Sequence, residues 1–151
     1  MKKLNNLLQS HCYEEVAFIV SQMVVKQAVA TLASLSNDDL VQVCNRLDEY
    51  DLGAYLPLFD NAKQQIIIEG LLHKKLQKVI DVIPDDVMLG MVSLLPKDLA
   101  ADVFVELSAD VQVELIDKLS DKEIQSVIND LFIVDALSLI IFCLLSVSIL
   151  A

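Results

Sequence analysis

The sequence predicts an all-α chain built as a superhelical stack of short helices with a twelve-residue repeat. Two observations carry that reading. Between Ile83 and Leu131 a unit recurs four times, as IPDDVMLGMVSL, LPKDLAADVFVE, LSADVQVELIDK and LSDKEIQSVIND. Composition agrees: 55% of residues are hydrophobic, only 5% are aromatic, and there are three glycines and three prolines. A fixed period of this kind marks an array of like supersecondary units.

Each unit opens on an apolar leader: Ile83, Leu95, Leu107, Leu119, then Leu131. A helix starter follows it, Pro84, Pro96, Ser108 or Ser120. With the leader as position 0, positions 5, 8, 9 and 12 are mostly apolar, the spacing of one helix face. The apolar pairs at positions 8 and 9 are Met91-Val92, Val103-Phe104, Leu115-Ile116 and Val127-Ile128. Ser120 and Glu123 have capping-box spacing. Proline suits a first helical turn, where its missing N–H would be unpaired anyway. Each unit therefore reads as one helix of about nine residues, about 13 Å long, plus a turn. Helices that short are marginal alone, so they must stack.

The frame runs backwards without a gap through leaders Leu71, Phe59, Leu47 and Leu35, with pairs Val79-Ile80, Ile67-Ile68, Tyr55-Leu56 and Val43-Cys44. Ser36 with Asp39 gives a further capping signal. Two disturbances are expected. Pro57 lies late in its unit and should shift the turn there, and Asp51 to Gly53 looks like an added break. Before Leu35 the repeat weakens, and residues 4–33 read as one or two helices.

After Leu131 the polar face disappears. Residues 136–151, ALSLIIFCLLSVSILA, carry no charge. A helix apolar all round must lie in protein or lipid. The chain is therefore divided into a helical-repeat domain, 1–135, and an apolar C-terminal tail, 136–151. The tail fits a membrane anchor, a buried closing helix, or an accidental extension read in a shifted frame. Its sixteen uncharged residues fall just short of the ~17–25 that span a bilayer, and the last of the three readings is favoured. Such a tail would drive association with membranes or with other copies.

The net charge is −11. This excludes nucleic-acid binding, which needs basic patches that displace counterions, and docking on an anionic membrane surface. Cys12, Cys44 and Cys143 are odd in number, far apart and without a CxxC, so neither a disulfide framework nor a zinc site is indicated. Cys44 sits on an apolar pair and belongs to the core. His11 and His73 are isolated and read as surface or satisfied histidines. No Ser-His-Asp or Cys-His element and no glycine-rich phosphate loop is present, so the chain is read as no enzyme. No secretory leader is read at the start, and a cytoplasmic setting follows.

LPKDLAADVFVELSADVQVELIDKLSDKEIQSVINDL, within residues 83–131, resembles the intracellular N-terminal domain of MgtE-type magnesium transporters. That family shows tandem Leu-Pro-x-Asp/Glu-x-Ala-Ala-Asp/Glu-Val-Leu units followed by Leu-Ser-x-Glu units, and similar repeats occur in the flagellar motor switch protein. The resemblance extends back to about residue 5. It implies a superhelix of about ten short helices, which in the family precedes a CBS pair and a membrane domain. These are the partners it implies, with any homodimer formed through those further domains. It also implies a place at the cytoplasmic face of the membrane. Bound magnesium in the family bridges acids of this domain to the CBS pair and favours the closed pore.

One family acid lies in the Ala-Ala-Asp/Glu-Val element, here Ala100-Ala101-Asp102-Val103, so Asp102 inherits a metal-ligand role. A second element, Leu-x-x-Asp-Asp-Ala-x-Asp, reads here Leu131-Phe132-Ile133-Val134-Asp135-Ala136-Leu137-Ser138 and keeps only Asp135. The implied cofactor is thus Mg2+, held weakly by Asp102 and Asp135, because magnesium demands octahedral oxygen and retains much of its water. Helix-start acids Asp85, Asp86, Asp98, Asp110 and Asp121 are explained without an ion by the helix dipole, at about 0.3–1 kcal/mol each. No CBS or membrane domain is read within the chain, so the expectation is a magnesium-sensing regulatory domain or a fragment of a transporter. The competing expectation is a stand-alone helical-repeat adaptor with no ion role.

The frame makes a stability prediction. Phe104→Ala, at an apolar pair, should cost about 3–5 kcal/mol, and Lys97→Ala, beside a turn, should stay within about 0.5 kcal/mol. Urea melts of the two variants check it, and equal small effects would show the frame to be misassigned.

Overall fold

The computed structural model describes residues 2–118 and Lys122. Ten α-helices are ordered along it: α1 Lys2–Gln9, α2 Tyr13–Ser21, α3 Val25–Ala33, α4 Asn37–Cys44, α5 Glu49–Tyr55, α6 Asn61–Gly70, α7 His73–Val82, α8 Asp85–Met88, α9 Lys97–Glu106 and α10 Ala109–Lys118. No strand occurs among the described residues. The chain divides between Ile83 and Pro84 into two compact units.

Helix starts keep the twelve-residue period. The N-caps are Cys12, Val24, Ser36, Asp48, Asp60, Leu72, Pro84 and Pro96, each one residue after a leader. The period therefore begins with α2, earlier than sequence alone shows, and residues 4–33 form three helices rather than one or two. From Phe59 onward, leader and N-cap are both extended. Leu71 has φ −71° and ψ 142°, and Leu72 has φ −60° and ψ 139°. Two extended residues in succession end one helix and start the next at a new angle. Proline's fixed φ of about −65° matches this turn, and Pro84 and Pro96 sit at N-cap with φ −59° and −52°, one place before the first turn. Three other turns use side chains. Ser36 Oγ, Asp48 Oδ1 and Asp60 Oδ1 accept from the backbone N–H three residues on, at 3.2, 2.7 and 2.8 Å. The Ser120–Glu123 box lies outside the described residues.

The frame also sorts inside from outside. From Val43-Cys44 to Leu115 every pair residue is buried, and only Ile116 is half-buried. Position 5 is buried as Leu40, Leu52, Gln64, Leu76, Met88 and Ala100. Gln64, a polar residue on this core face, donates to the carbonyls of Leu56, Pro57 and Phe59 at 3.2, 3.3 and 3.0 Å. Its equivalent in the second unit, Gln112, donates to Phe104 O at 2.7 Å. Both reach eight residues back and satisfy carbonyls that the end of the preceding helix leaves open.

Three expectations are corrected. Asp51 to Gly53 is no break but lies inside α5. Pro57 does not shift the turn. The helix tightens into a 3-10 turn, Leu56–Leu58, the Gln64 amide takes up the loose carbonyls, and Asp60 caps α6 in frame. The unit led by Ile83 does not hold a nine-residue helix. It has the four-residue α8 and a 3-10 turn, Val92–Leu94, with Gly90 between them. Glycine inside a helix costs about 1 kcal/mol relative to alanine, which ends α8 early.

In the first unit helices pack on their next-but-one neighbours, α2 on α4 on α6 and α3 on α5 on α7. Two contacts, each made twice, set the direction. Lys63 Nζ donates to Leu35 O, and Lys75 Nζ donates to Leu47 O, in both cases position 4 reaching the leader two units back. At the other end, position 6 meets position 11 two units on, as Val41 with Gly70 and as Gly53 with Val82. Sequence runs the same way through both contacts, so next-but-one helices are parallel. Glycine is needed at one side of each close approach. A Cβ on Gly53 would lie 2.6 Å from Val82 Cγ2, and one on Gly70 would lie 2.5 Å from Val41 Cγ1. Asn45 closes the α4–α6 pair, donating to Val41 O and Gly70 O at 3.1 Å and accepting from Leu72 N at 3.0 Å.

Gly53→Ala is expected to destabilise by up to about 2 kcal/mol, because overpacking of about 1–3 kcal/mol exceeds about 1 kcal/mol of helix propensity gained. Adding Val82→Ala removes the clash. The double variant should be about 1 kcal/mol or more better than the sum of the singles in urea melts. Strict additivity would show that the two backbones do not approach at this point.

Candidate functional site

Outward positions of the frame hold the candidate site. Positions 3 and 7 are one helical turn apart and exposed on every described helix from α2 onward, apart from half-buried Ile66. Their chemistry changes along the chain. They are Tyr50 and Ala54 on α5, Ala62 and Ile66 on α6, Lys74 and Lys78 on α7, Asp98 and Asp102 on α9, and Asp110 and Glu114 on α10.

On α9 the sequence Lys97–Glu106 buries Leu99, Ala100, Ala101, Val103 and Phe104. The opposite face presents Asp98, Asp102 and Glu106, all exposed. Their i, i+4, i+8 spacing lines them up with about 6 Å of rise between neighbours. Like charges at i, i+4 destabilise a helix by about 0.2–0.5 kcal/mol per pair, so the ridge is an electrostatic cost that a cation would offset. Sequence reasoning singled out Asp102, explained Asp98 by the helix dipole and gave Glu106 no site role, although the spacing of four was there to be read. The remaining acids follow the same partition. Ten acids face eight bases before Pro84, and twelve acids face three bases from Pro84 onward, so nearly all the net negative charge belongs to the second half.

Asp135, the other expected ligand, lies outside the described residues, and so do Cys143 and the tail. Among the described residues no group of three His, Cys, Asp or Glu side chains is close enough to hold a metal ion. Strung along a helix, the α9 carboxylates can supply part of a coordination shell, with water or a facing surface supplying the rest.

A second polar cluster joins α2 to α4. His11, at φ 54°, adopts the left-handed backbone that ends the α1 segment. Its Nδ1 lies 2.8 Å from Tyr13 Oη, which donates to Asp39 Oδ1 at 3.0 Å, and Asp39 Oδ2 accepts from Ser36 Oγ at 2.8 Å. Because the Tyr13 hydroxyl donates to Asp39, its oxygen accepts from His11. The Arg46 guanidinium lies 5.2 Å from the Tyr13 ring centre and is held by Gln42. Withdrawal from water, then the hydrogen bond to Asp39, push the Tyr13 phenol up. This cluster satisfies His11, and its geometry is that of a clasp between helices.

Residues 71–141 match a family model, that of the MgtE intracellular N domain. Over those residues the chain is similar to an MgtE-type intracellular N-terminal domain. The match opens at leader Leu71 and takes in α7, α8, α9 with its acidic ridge, and α10. No curated protein and no solved structure matches the chain. The MgtE N domain is a regulatory part of a magnesium transporter rather than a catalytic family. No helix among the described residues is long and apolar enough to cross a membrane.

Buried nucleophiles are inert in this fold. Cys44 is fully enclosed, and burial pushes its thiol up to about 12 from the usual 9.0, with Lys75 opposing weakly. Native protein at pH 8 should resist alkylation at Cys44 while half-buried Cys12 reacts, as peptide mapping by mass spectrometry would read. The same shift has a sign in stability. The unfolded thiol loses its proton from about pH 9 and the folded one only near 12, so stability is full below pH 9 and falls as pH rises through that window. The loss should reach about 1.4 kcal/mol per pH unit relative to a Cys44→Ala control.

Proposed function

We propose that this domain senses magnesium for an MgtE-like transporter, with the α9 ridge as its cation-responsive surface. The family match over residues 71–141 carries the reading. The exposed ridge of Asp98, Asp102 and Glu106 supports it. Asp102 occupies the acid position of the Ala-Ala-Asp-Val element and sits mid-helix, where the helix dipole does not account for a carboxylate. The three carboxylates repel one another along α9. They relax that repulsion when a divalent cation, keeping much of its water, lies over the ridge. Because one helix completes no octahedral shell, the remaining oxygens come from water and from a second acidic surface, and Asp135 is a candidate contributor. A shell shared between two surfaces couples cation level to docking, and docking of this domain on the CBS and membrane parts of a transporter is the regulatory event. The setting is the cytoplasmic side of the membrane.

Melting curves test it. With magnesium at about ten times Kd, one site adds about 1.4 kcal/mol and raises Tm by about 3–6 °C above sodium chloride of matched ionic strength. Asp102→Asn should remove most of that difference while leaving the sodium curve in place. Identical curves in magnesium and sodium would defeat the sensing role and favour a protein-binding adaptor instead.

A further inference from the structure

We propose that the outward ridge of α7 is an interaction surface whose partner is the outward ridge of α9 on a second copy of the chain. The helix α7 carries cations where a helix tolerates them least. Lys74 and Lys75 stand in its first turn, and its N-cap, Leu72, offers no side-chain cap. The positive end of the dipole disfavours cations there, and Lys74 and Lys78 form a like-charged i, i+4 pair. Two other lysines are answered within the fold: Lys63 by Leu35 O and Asn37 Oδ1, and Lys75 by Leu47 O. Lys74 and Lys78 are exposed and make no hydrogen bond or ion pair among the described residues.

The complementary surface is on the same chain. Asp98 and Asp102 occupy on α9 the frame positions, 3 and 7, that Lys74 and Lys78 occupy on α7. Equal spacing of about 6 Å lets both pairs form together when the ridges of two copies face each other. Each ridge is bordered by apolar surface that would be covered at the same time. Leu72 is 69% exposed at the start of α7, Tyr50 is 72% exposed on the neighbouring α5, and Val105 is 47% exposed on α9. The uneven charge of the chain favours this heterologous contact, since the acid-rich half of one copy meets the nearly balanced half of another. Exposed ion pairs contribute little each and are screened by salt, so the association is weak and salt-sensitive. It involves no bound ion and does not rest on the sensing role.

Sedimentation of the full chain over a micromolar concentration series tests it. Self-association should weaken about three- to tenfold between low and moderate sodium chloride. Lys74→Glu with Lys78→Glu should abolish it, and so should Asp98→Lys with Asp102→Lys, while a mixture of the two variants should restore a heterodimer. Lys74→Gln with Lys78→Gln serves should the reversed chain melt early in circular dichroism. A monomer at every concentration, an association indifferent to the reversals, or one that strengthens with salt as apolar contact by residues 136–151 would, overturns the proposal. Binding of the α7 ridge to anionic vesicles without self-association overturns it as well.

Discussion

The regularity of the frame from Phe59 onward depends on a turn made of two extended residues. From Phe59 onward an apolar leader and an N-cap, both near φ −70° and ψ 145°, recur every twelve residues and swing the chain into the next helix. Because this turn has no variable length, each helix begins in the same phase, and frame position becomes equivalent to place in the structure. The N-cap can be Ser, Asp, Pro, Leu or Val, since what the turn requires is an extended backbone. Side-chain caps add to it in three turns, and proline's locked φ adds to it in two.

Constant phase allows one contact to be written once and used again. Lysine at position 4 reaches the leader carbonyl two units back, in α6 and in α7. Glutamine at position 5 reaches a carbonyl eight residues back, in α6 and in α10. Position 6 meets position 11 two units later with glycine on one side and valine on the other, and the two known cases exchange the roles. Swapping the glycine preserves the sum of the two side-chain volumes, so the same approach of backbones is kept. Short helices that are marginal alone are thus held by contacts that each repeat supplies to its neighbours.

With the core committed to positions 5, 8, 9 and 12, function is left to the outward positions. Their change from neutral on α5 and α6, to cationic on α7, to acidic on α9 and α10 is a surface pattern on a nearly uniform frame. The acidic stretch lies within the segment matching the MgtE intracellular N domain. Asp102 belongs to that pattern as one of three carboxylates on a face, and the cation role proposed for it would be a property of the ridge rather than of a closed pocket.

The sequence by itself determined the helical class, the period from Leu35 to Leu107, the burial of the pairs from Val43-Cys44 to Val103-Phe104 and with it that of Cys44, because a strict period of apolar residues has one geometric solution. It also carried the family resemblance through Ala100-Ala101-Asp102-Val103. Three things needed the tertiary structure. Gly53 and Pro57 look locally like breakers, yet close helix approach requires the one and Gln64 accommodates the other. The period before Leu35 is hidden because its leaders are His11 and Met23 and its N-caps Cys12 and Val24, so the spacing survives without its usual residues, and at His11, φ 54°, with a different turn. The clasp of His11, Tyr13 and Asp39, and the parallel pairing of next-but-one helices, join residues more than twenty apart. Local propensity has no term for such distances, and only packing brings those groups together.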